Sequence, residues 1–313
     1  MAHTEQDEDE RRRPVSVYLA LLFGLATFSI SAILVRLASE GPALAIVSWR
    51  TMIAATALAP FALMTSWTEM RAFTRRDYVL IGAAGVLLGL HFVSWTESLY
   101  HTTVASASVL VTTSPIFLAV LGYAFLKERL SFGMSAAIVL AVFGAALLGL
   151  GDVGAGEEGD ARVLGNMLAL TASLLFSIYL LFGRVVRRKT SWLAYVFPLY
   201  AVTAATVLVT AYLLDTPLFG FSAEFYVLCA AMALGPQIIG HGSFNYAIRY
   251  FPAAVLGLIS LTEPVGASSL AYLMFGERPT TLALIGMLIT LSAIAFAVLN
   301  RNRYGSDVPV RTD

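Results

Sequence analysis

Polar and apolar positions in this chain are segregated rather than alternating. Ten blocks of about 20 mostly apolar residues fall at 15–37, 42–64, 78–100, 103–126, 132–150, 163–183, 192–214, 225–248, 252–275 and 281–299. Short polar stretches between them carry most of the charge. About 20 apolar residues, rising ~1.5 Å each, cross a hydrocarbon core roughly 30 Å thick as one helix. Lipid offers the backbone no hydrogen-bond partner, so each block is predicted to be a helix. A β-barrel would need segments of about ten residues with strict alternation, which are absent. The expected fold class is an all-α polytopic membrane protein of ten transmembrane helices. The first block follows Arg11-Arg12-Arg13 in the manner of a signal peptide. Its apolar run is too long for one and it belongs to a repeat, so it is expected to remain in the mature protein.

Composition agrees with this pattern. Of 313 residues, 58% are hydrophobic and 13% charged, against roughly 45–50% and 25% in soluble domains. That excludes a soluble enzyme, a disordered chain and a nucleic-acid partner; the lipid bilayer is the solvent. The single Cys229 permits no intramolecular disulfide. The net charge of zero hides an asymmetry. With both termini on one side, sixteen of the 20 Lys and Arg residues fall on that side. Arg36, Arg162 and Arg278 fall opposite, and Arg50 lies inside a span. The positive-inside rule then makes both termini cytoplasmic. Residues 1–14 are read as a disordered cytoplasmic tail, 152–162 as an extracytoplasmic linker and 301–313 as a second cytoplasmic tail.

The halves, 15–151 and 163–300, repeat each other. Phe28-Ser29-Ile30 with Arg36 recurs 148 residues later as Phe176-Ser177-Ile178 with Arg184. Pro115 and Glu128-Arg129 recur at an offset of 149 as Pro264 and Glu277-Arg278. His91 and Tyr100 recur at an offset of 150 as His241 and Tyr250. An ordered series at nearly constant offset is a duplication. Each unit has five spans, an odd number, so the second enters from the opposite face: two inverted five-helix repeats. Such repeats commonly place a substrate site near mid-membrane between the halves, with alternating access around it.

Several loose motifs, taken together in order, resemble the EamA-type, ten-helix members of the drug/metabolite transporter superfamily. They are Ser114-Pro115 through Glu128-Arg129, Glu263-Pro264 through Glu277-Arg278, Trp49-Arg50, and Gly240-His241 through Asn245-Tyr246. The resemblance spans nearly the whole chain. It implies an inner-membrane, multi-pass carrier, often an exporter of amino acids or related metabolites, and leaves the substrate open.

Charges deep in a span cost roughly 2.5–3.5 kcal/mol on insertion scales, and so point to function. Two lie deep here. Arg50 is about 12 Å below the outer surface at ~1.5 Å per residue, and Glu263 sits at a matching depth. The repeat pairs Arg50 with Leu199 and Glu263 with Ser114, so it does not account for these charges. Either they form a substrate site, Arg50 for a carboxylate and Glu263 for an amine or proton, or they form a structural ion pair between halves. His91 and His241 occupy equivalent places. Gln237, His241 and Asn245, spaced by four, would share one helical face, and Arg50, His91, Trp95, His241, Asn245 and Glu263 are expected to line a binding cavity made by both repeats. Histidine exchanges protons near neutral pH, so Glu263 and His241 are the proton-coupling candidates; the plainer role of His91 and His241 is a hydrogen bond between helices. Trp95, four residues after His91, either stacks on substrate or marks the membrane interface. Pro115 and Pro264 are expected helix breaks, as each removes a helical hydrogen bond. Gly82, Gly85 and Gly89 suggest a close-packing face. Glu128 and Glu277 are expected to bridge with Arg129 or Arg278 at the interface.

No metal or cofactor is implied, since neither His91 nor His241 has a Cys or carboxylate at ligand spacing. The string Gly149-Leu150-Gly151-Asp152 is reminiscent of intramembrane aspartyl proteases, but the chemistry needs a second facing aspartate. There is also no phosphate-binding loop for a nucleotide-driven pump. The expected function is thus a non-enzymatic secondary transporter exporting small metabolites such as amino acids, as a monomer or homodimer, with protons as a possible second partner. The alternatives are a proton-coupled exporter of cationic or aromatic drugs, and a non-transporting intramembrane enzyme or sensor.

Overall fold

The structure, a computed structural model, describes residues 14–102, 104–128, 130–151, 160–275 and 279–299, and within them regular structure is helical throughout. Most of the two tails and the linker lie outside the described residues, as do Arg129, Glu277 and Arg278. In the first repeat, α1 is Val15–Leu37, α2 Ala43–Thr65, the short α3 Trp67–Arg71 and α4 Arg75–His101. The fourth span is divided into α5, Val104–Val111, and α6, Ser114–Leu126, and the fifth is α7, Phe132–Gly151. In the second repeat, α8 is Asp160–Arg187 and α9 Trp192–Leu213. The eighth span runs through α10, Ala223–Met232, a π-helical segment, Ala233–His241, and α11, Gly242–Ala247. The ninth is α12, Ala253–Ser260, and α13, Thr262–Phe275; the tenth is α14, Thr281–Leu299.

Eight of these spans are long and apolar enough to cross a membrane, and the fifth and tenth are shorter apolar helices. At ~1.5 Å per residue, the 20 residues of α7 and 19 of α14 still reach about 28–30 Å. The outer surface is apolar: Val120, Phe143, Met167, Leu273 and Leu288 are each more than half exposed. The interior is where the polar groups collect, with Arg50, Arg187, Gln237 and Asn245 all at 1% exposure or less. In lipid this distribution is favourable, because polar groups gain partners only by turning inward.

Packing runs between repeats more than within them, and the principal contacts between spans have repeat-related counterparts. α4 lies on α8 as α1 lies on the eighth span; α2 packs on α9, α6 on α12, and α7 on α14. Ala141 and Thr290 are equivalent positions, 149 apart, and they touch: the Thr290 hydroxyl donates to the Ala141 carbonyl at 3.3 Å. A pseudo-twofold axis therefore passes between α7 and α14. Gly144 makes this approach possible, since a Cβ there would lie 2.8 Å from the Gly286 carbonyl oxygen. The glycine face expected on α4 is real at two of its three positions. A Cβ on Gly85 would stand 2.7 Å from Val202, and one on Gly89 3.3 Å from the Thr203 carbonyl, whereas Gly82 faces open space.

We call the membrane face on which α1 begins the amino-terminal face. Arg188, just past α8, and Pro217, just past α9, are exposed on opposite faces. In a Cys229→Ala background, cysteine at 217 is expected to react with an impermeant maleimide from one side of a sealed vesicle and cysteine at 188 only from the other. Reaction of both from the same side would overturn this topology.

Candidate substrate cavity

Three proline residues interrupt the helices around one central region. Pro115 is the second residue of α6 and Pro264 the third of α13, so the fourth and ninth spans break just before them. Proline lacks an N–H and its ring collides with the carbonyl four residues back, which ends the preceding helix. Hydroxyls then take up carbonyls that a continuous helix would have used, as lipid demands. In the first repeat Thr113 donates to Leu110 O at 2.7 Å. In the second repeat Ser260 donates to Gly257 O at 2.7 Å and Thr262 to Ile259 O at 2.9 Å. Pro236 acts differently: it lies inside the π segment, whose wider turn accommodates the ring without a stop. Glu263 falls in the first turn of α13, where the exposed N–H groups favour a negative charge.

The breaks surround a cavity of about 480 Å³. Arg50, His91, Trp95, His241 and Glu263 all line it, so five of the six residues expected in the site come together. The sixth, Asn245, does not line the cavity; its side chain is wholly buried beside Tyr179. The expectation rested on an α-helical period for Gln237, His241 and Asn245. Gln237 and His241 lie in the π segment and Asn245 in the α-helix that follows, so the three do not share one helical period. His241 faces the cavity, whereas Gln237 is wholly buried and hydrogen-bonded to Arg50.

Arg50 is held on two sides. Its Nε donates to Gln237 Oε1 at 3.2 Å, and its guanidinium carbon stands 4.2 Å from the centre of the Phe92 ring. A cation over an aromatic face is worth roughly 2 kcal/mol when desolvated. Gln237 is itself fixed through its carbonyl, which accepts from Tyr200 Oη at 2.6 Å. Arg50 Nη1 is buried and has no partner. Glu263 has neither a hydrogen bond nor an ion pair among the described residues. The two deep charges therefore share one cavity without forming the structural ion pair that their matched depth allowed.

The histidines meet on the pseudo-twofold axis, with ring centres 5.6 Å apart. His91 Nδ1 lies 2.8 Å from the Ala172 carbonyl, which can only accept, so Nδ1 carries the proton and neutral His91 keeps a free lone pair on Nε2. His241 Nδ1 lies 3.2 Å from Tyr179 Oη. Phenylalanines pack around them: Phe28 and Phe92 lie 4.9 and 4.7 Å from His241, and Phe176 lies 5.5 Å from His91. Phe28, Phe92 and Phe176 were not anticipated as site residues, although the repeated Phe-Ser-Ile motif marked two of them. Gln237 was noticed, but not as the residue that orients Arg50.

Towards the amino-terminal face the cavity is sealed. Arg184 Nε donates to Glu128 at 2.5 Å, and its Nη1 donates to the carbonyls of Ile248 and Phe251 at 2.6 and 2.7 Å. Arg188 adds a longer contact to Glu128 at 3.8 Å. Glu128 thus bridges to the other repeat. Arg187 donates to Asn245 O at 2.9 Å and to Thr190 O. Lys189 closes on Asp77 at 2.8 Å.

Two stretches of the chain, 15–150 and 163–299, match the EamA-like transporter family. An uncharacterized transporter of Bacillus subtilis, YdfC, is 27% identical over 259 residues, covering 82% of this chain and 81% of that protein. A probable terminal-alkyne amino-acid exporter of Streptantibioticus cattleyicolor is 27% identical over 292 residues, covering 91% and 94%. One solved crystal structure superposes with a TM-score of 0.76 at 18% identity, covering 93% of this chain and 99% of that one, a likeness of fold alone. With its two matched stretches covering nearly all of its length, the chain belongs to the EamA-like transporter family.

Proposed function

We propose that this transporter is a secondary exporter of small zwitterionic metabolites, amino acids foremost, working by alternating access across the inner membrane. The amino-terminal face would be the cytoplasmic one, as the distribution of Lys and Arg indicates. The observation that carries the reading is the pairing of opposite charges left unneutralised in one cavity. Arg50 offers a donor with no partner, and Glu263 offers a carboxylate with none among the described residues. A bound α-amino acid would satisfy both: its carboxylate at Arg50, its ammonium at Glu263. Phe28, Phe92, Phe176 and Trp95 would meet its side chain. The exporter of Streptantibioticus cattleyicolor named above gives the same substrate class independent support.

Coupling to protons follows from the same arrangement. A bare carboxylate in mid-membrane is costly. Glu263 would cross either loaded with a substrate ammonium or carrying a proton, and an exchange of the two would link export to proton entry. His241, which lines the same cavity, is the second proton-coupling candidate.

The purified protein in proteoliposomes, assayed for uptake and efflux of a metabolite panel with and without a pH gradient, tests this reading. Transport of amino acids is expected; transport of cationic or aromatic drugs alone would replace the substrate class. Arg50→Ala is expected to raise the substrate KM by roughly tenfold to a hundredfold, the size of a lost hydrogen bond to a charged group. An unchanged KM in a variant that inserts normally would move the carboxylate site elsewhere. Glu263→Gln is expected to abolish accumulation driven by a pH gradient while leaving exchange. Full gradient-driven accumulation by Glu263→Gln would reduce Glu263 to a structural residue.

A further inference from the structure

On the amino-terminal side of the cavity a group of polar atoms is buried without partners. Tyr195 Oη and both Oδ1 and Nδ2 of Asn245 make no hydrogen bond of ordinary geometry. Asn245 and Tyr195 both flank Tyr179, so these three atoms fall in one place. Buried polar atoms are paired in the great majority of native sites. Several orphans in one place need a reason.

The repeat supplies one. Trp95 and Asn245 are 150 residues apart, as are His91 and His241. Ser31 and Tyr179 are 148 apart, as are Phe28 and Phe176. Trp95 and Ser31 line the cavity. Their counterparts, Asn245 and Tyr179, lie packed away at no exposure. The residues at the axis, the two histidines and Phe28 with Phe176, line the cavity as members of both sets. The ends of the spans repeat the contrast: Arg184 is buried in its seal, and its counterpart Arg36 is exposed. The two repeats thus hold equivalent positions in two different conformations, open in one and closed in the other.

We infer that Tyr179, Tyr195 and Asn245 line a second vestibule, which opens to the amino-terminal face when the present one closes, and that the Arg184–Glu128 bond must break for it to open. In that state the orphan amide and hydroxyl meet water and the polar groups of the departing or arriving substrate. The vestibule is also chemically different: an amide and a phenol, Asn245 and Tyr179, stand where the present side has an indole and a serine. This inference rests on reading the chain as an alternating-access carrier and adds residues that the present cavity does not contain.

Cysteine accessibility in vesicles of known sidedness tests it. In a Cys229→Ala background, Trp95→Cys is expected to react with an impermeant maleimide from the face opposite the amino terminus. Asn245→Cys is expected to react only from the amino-terminal face, and more slowly. Adding Glu128→Gln should raise the rate at position 245 by about tenfold or more while lowering that at position 95. Arg184→Gln, which removes the other partner, should produce the same shift and stands in if Glu128→Gln fails to insert. A rise at both positions, a fall at 95 with no rise at 245, or no reaction at 245 from either face in any background would each overturn the inference. Reciprocal labelling without amino-acid transport would leave the vestibule standing and remove the substrate reading. Amino-acid transport without reciprocal labelling would do the reverse.

Discussion

A guanidinium in the middle of a membrane protein organises the rest of this molecule. Arg50 is 1% exposed, and its charge must be held by dipoles and rings because bulk water is absent. Gln237 and Phe92 supply that hold from separate spans. Tyr200 in turn fixes Gln237 through its backbone carbonyl. That carbonyl belongs to the π segment around Pro236, so an irregular helix and a buried charge are two parts of one device. The arrangement leaves one face of the guanidinium committed and Nη1 open. Under the proposed function, a cation satisfied on one side only is held in advance of its ligand, which would lower the ordering cost of binding.

The second constraint is the need to satisfy every backbone group without help from lipid. The fourth and ninth spans break where Pro115 and Pro264 require it, and the hydroxyls of Thr113, Ser260 and Thr262 take up carbonyls left over. The same breaks bring Ser114 and Glu263, equivalent positions, to the cavity wall. One of them is a small hydroxyl and the other a carboxylate. The duplication builds a symmetric frame, and substitutions at single positions give that frame a polarity, which the proposed function uses for a zwitterion. The seal made by Arg184 is asymmetric in the same sense, since its counterpart is exposed.

Much of this was legible in the sequence. Segregated apolar blocks named the spans, constant offsets named the repeat, and the cost of a buried charge singled out Arg50 and Glu263. Other parts were hidden for identifiable reasons. The stripe of Gln237, His241 and Asn245 assumed one helical period throughout, and the π segment changed that period between its members. Arg184 reads as one of a run of basic residues at a span end; only the fold brings Glu128 and two carbonyls of the other elements to it. Glu128 is met by Arg184 of the other repeat, a pairing that no spacing in the sequence announces. Phe28 and Phe176 were visible as markers of the duplication, and it took the meeting of the halves to make them walls of a cavity.

The most direct measurement of the central claim is equilibrium binding of an amino acid and of its carboxamide to the purified protein in detergent or nanodiscs. The two ligands differ only in the group that Arg50 is held to receive. Binding to the wild type is predicted to favour the carboxylate by about tenfold or more, the size expected of a charged hydrogen bond. Arg50→Ala is predicted to bind both ligands with equal, weaker affinity. Equal binding of the two ligands by the wild type, or undiminished discrimination by Arg50→Ala, would contradict the account.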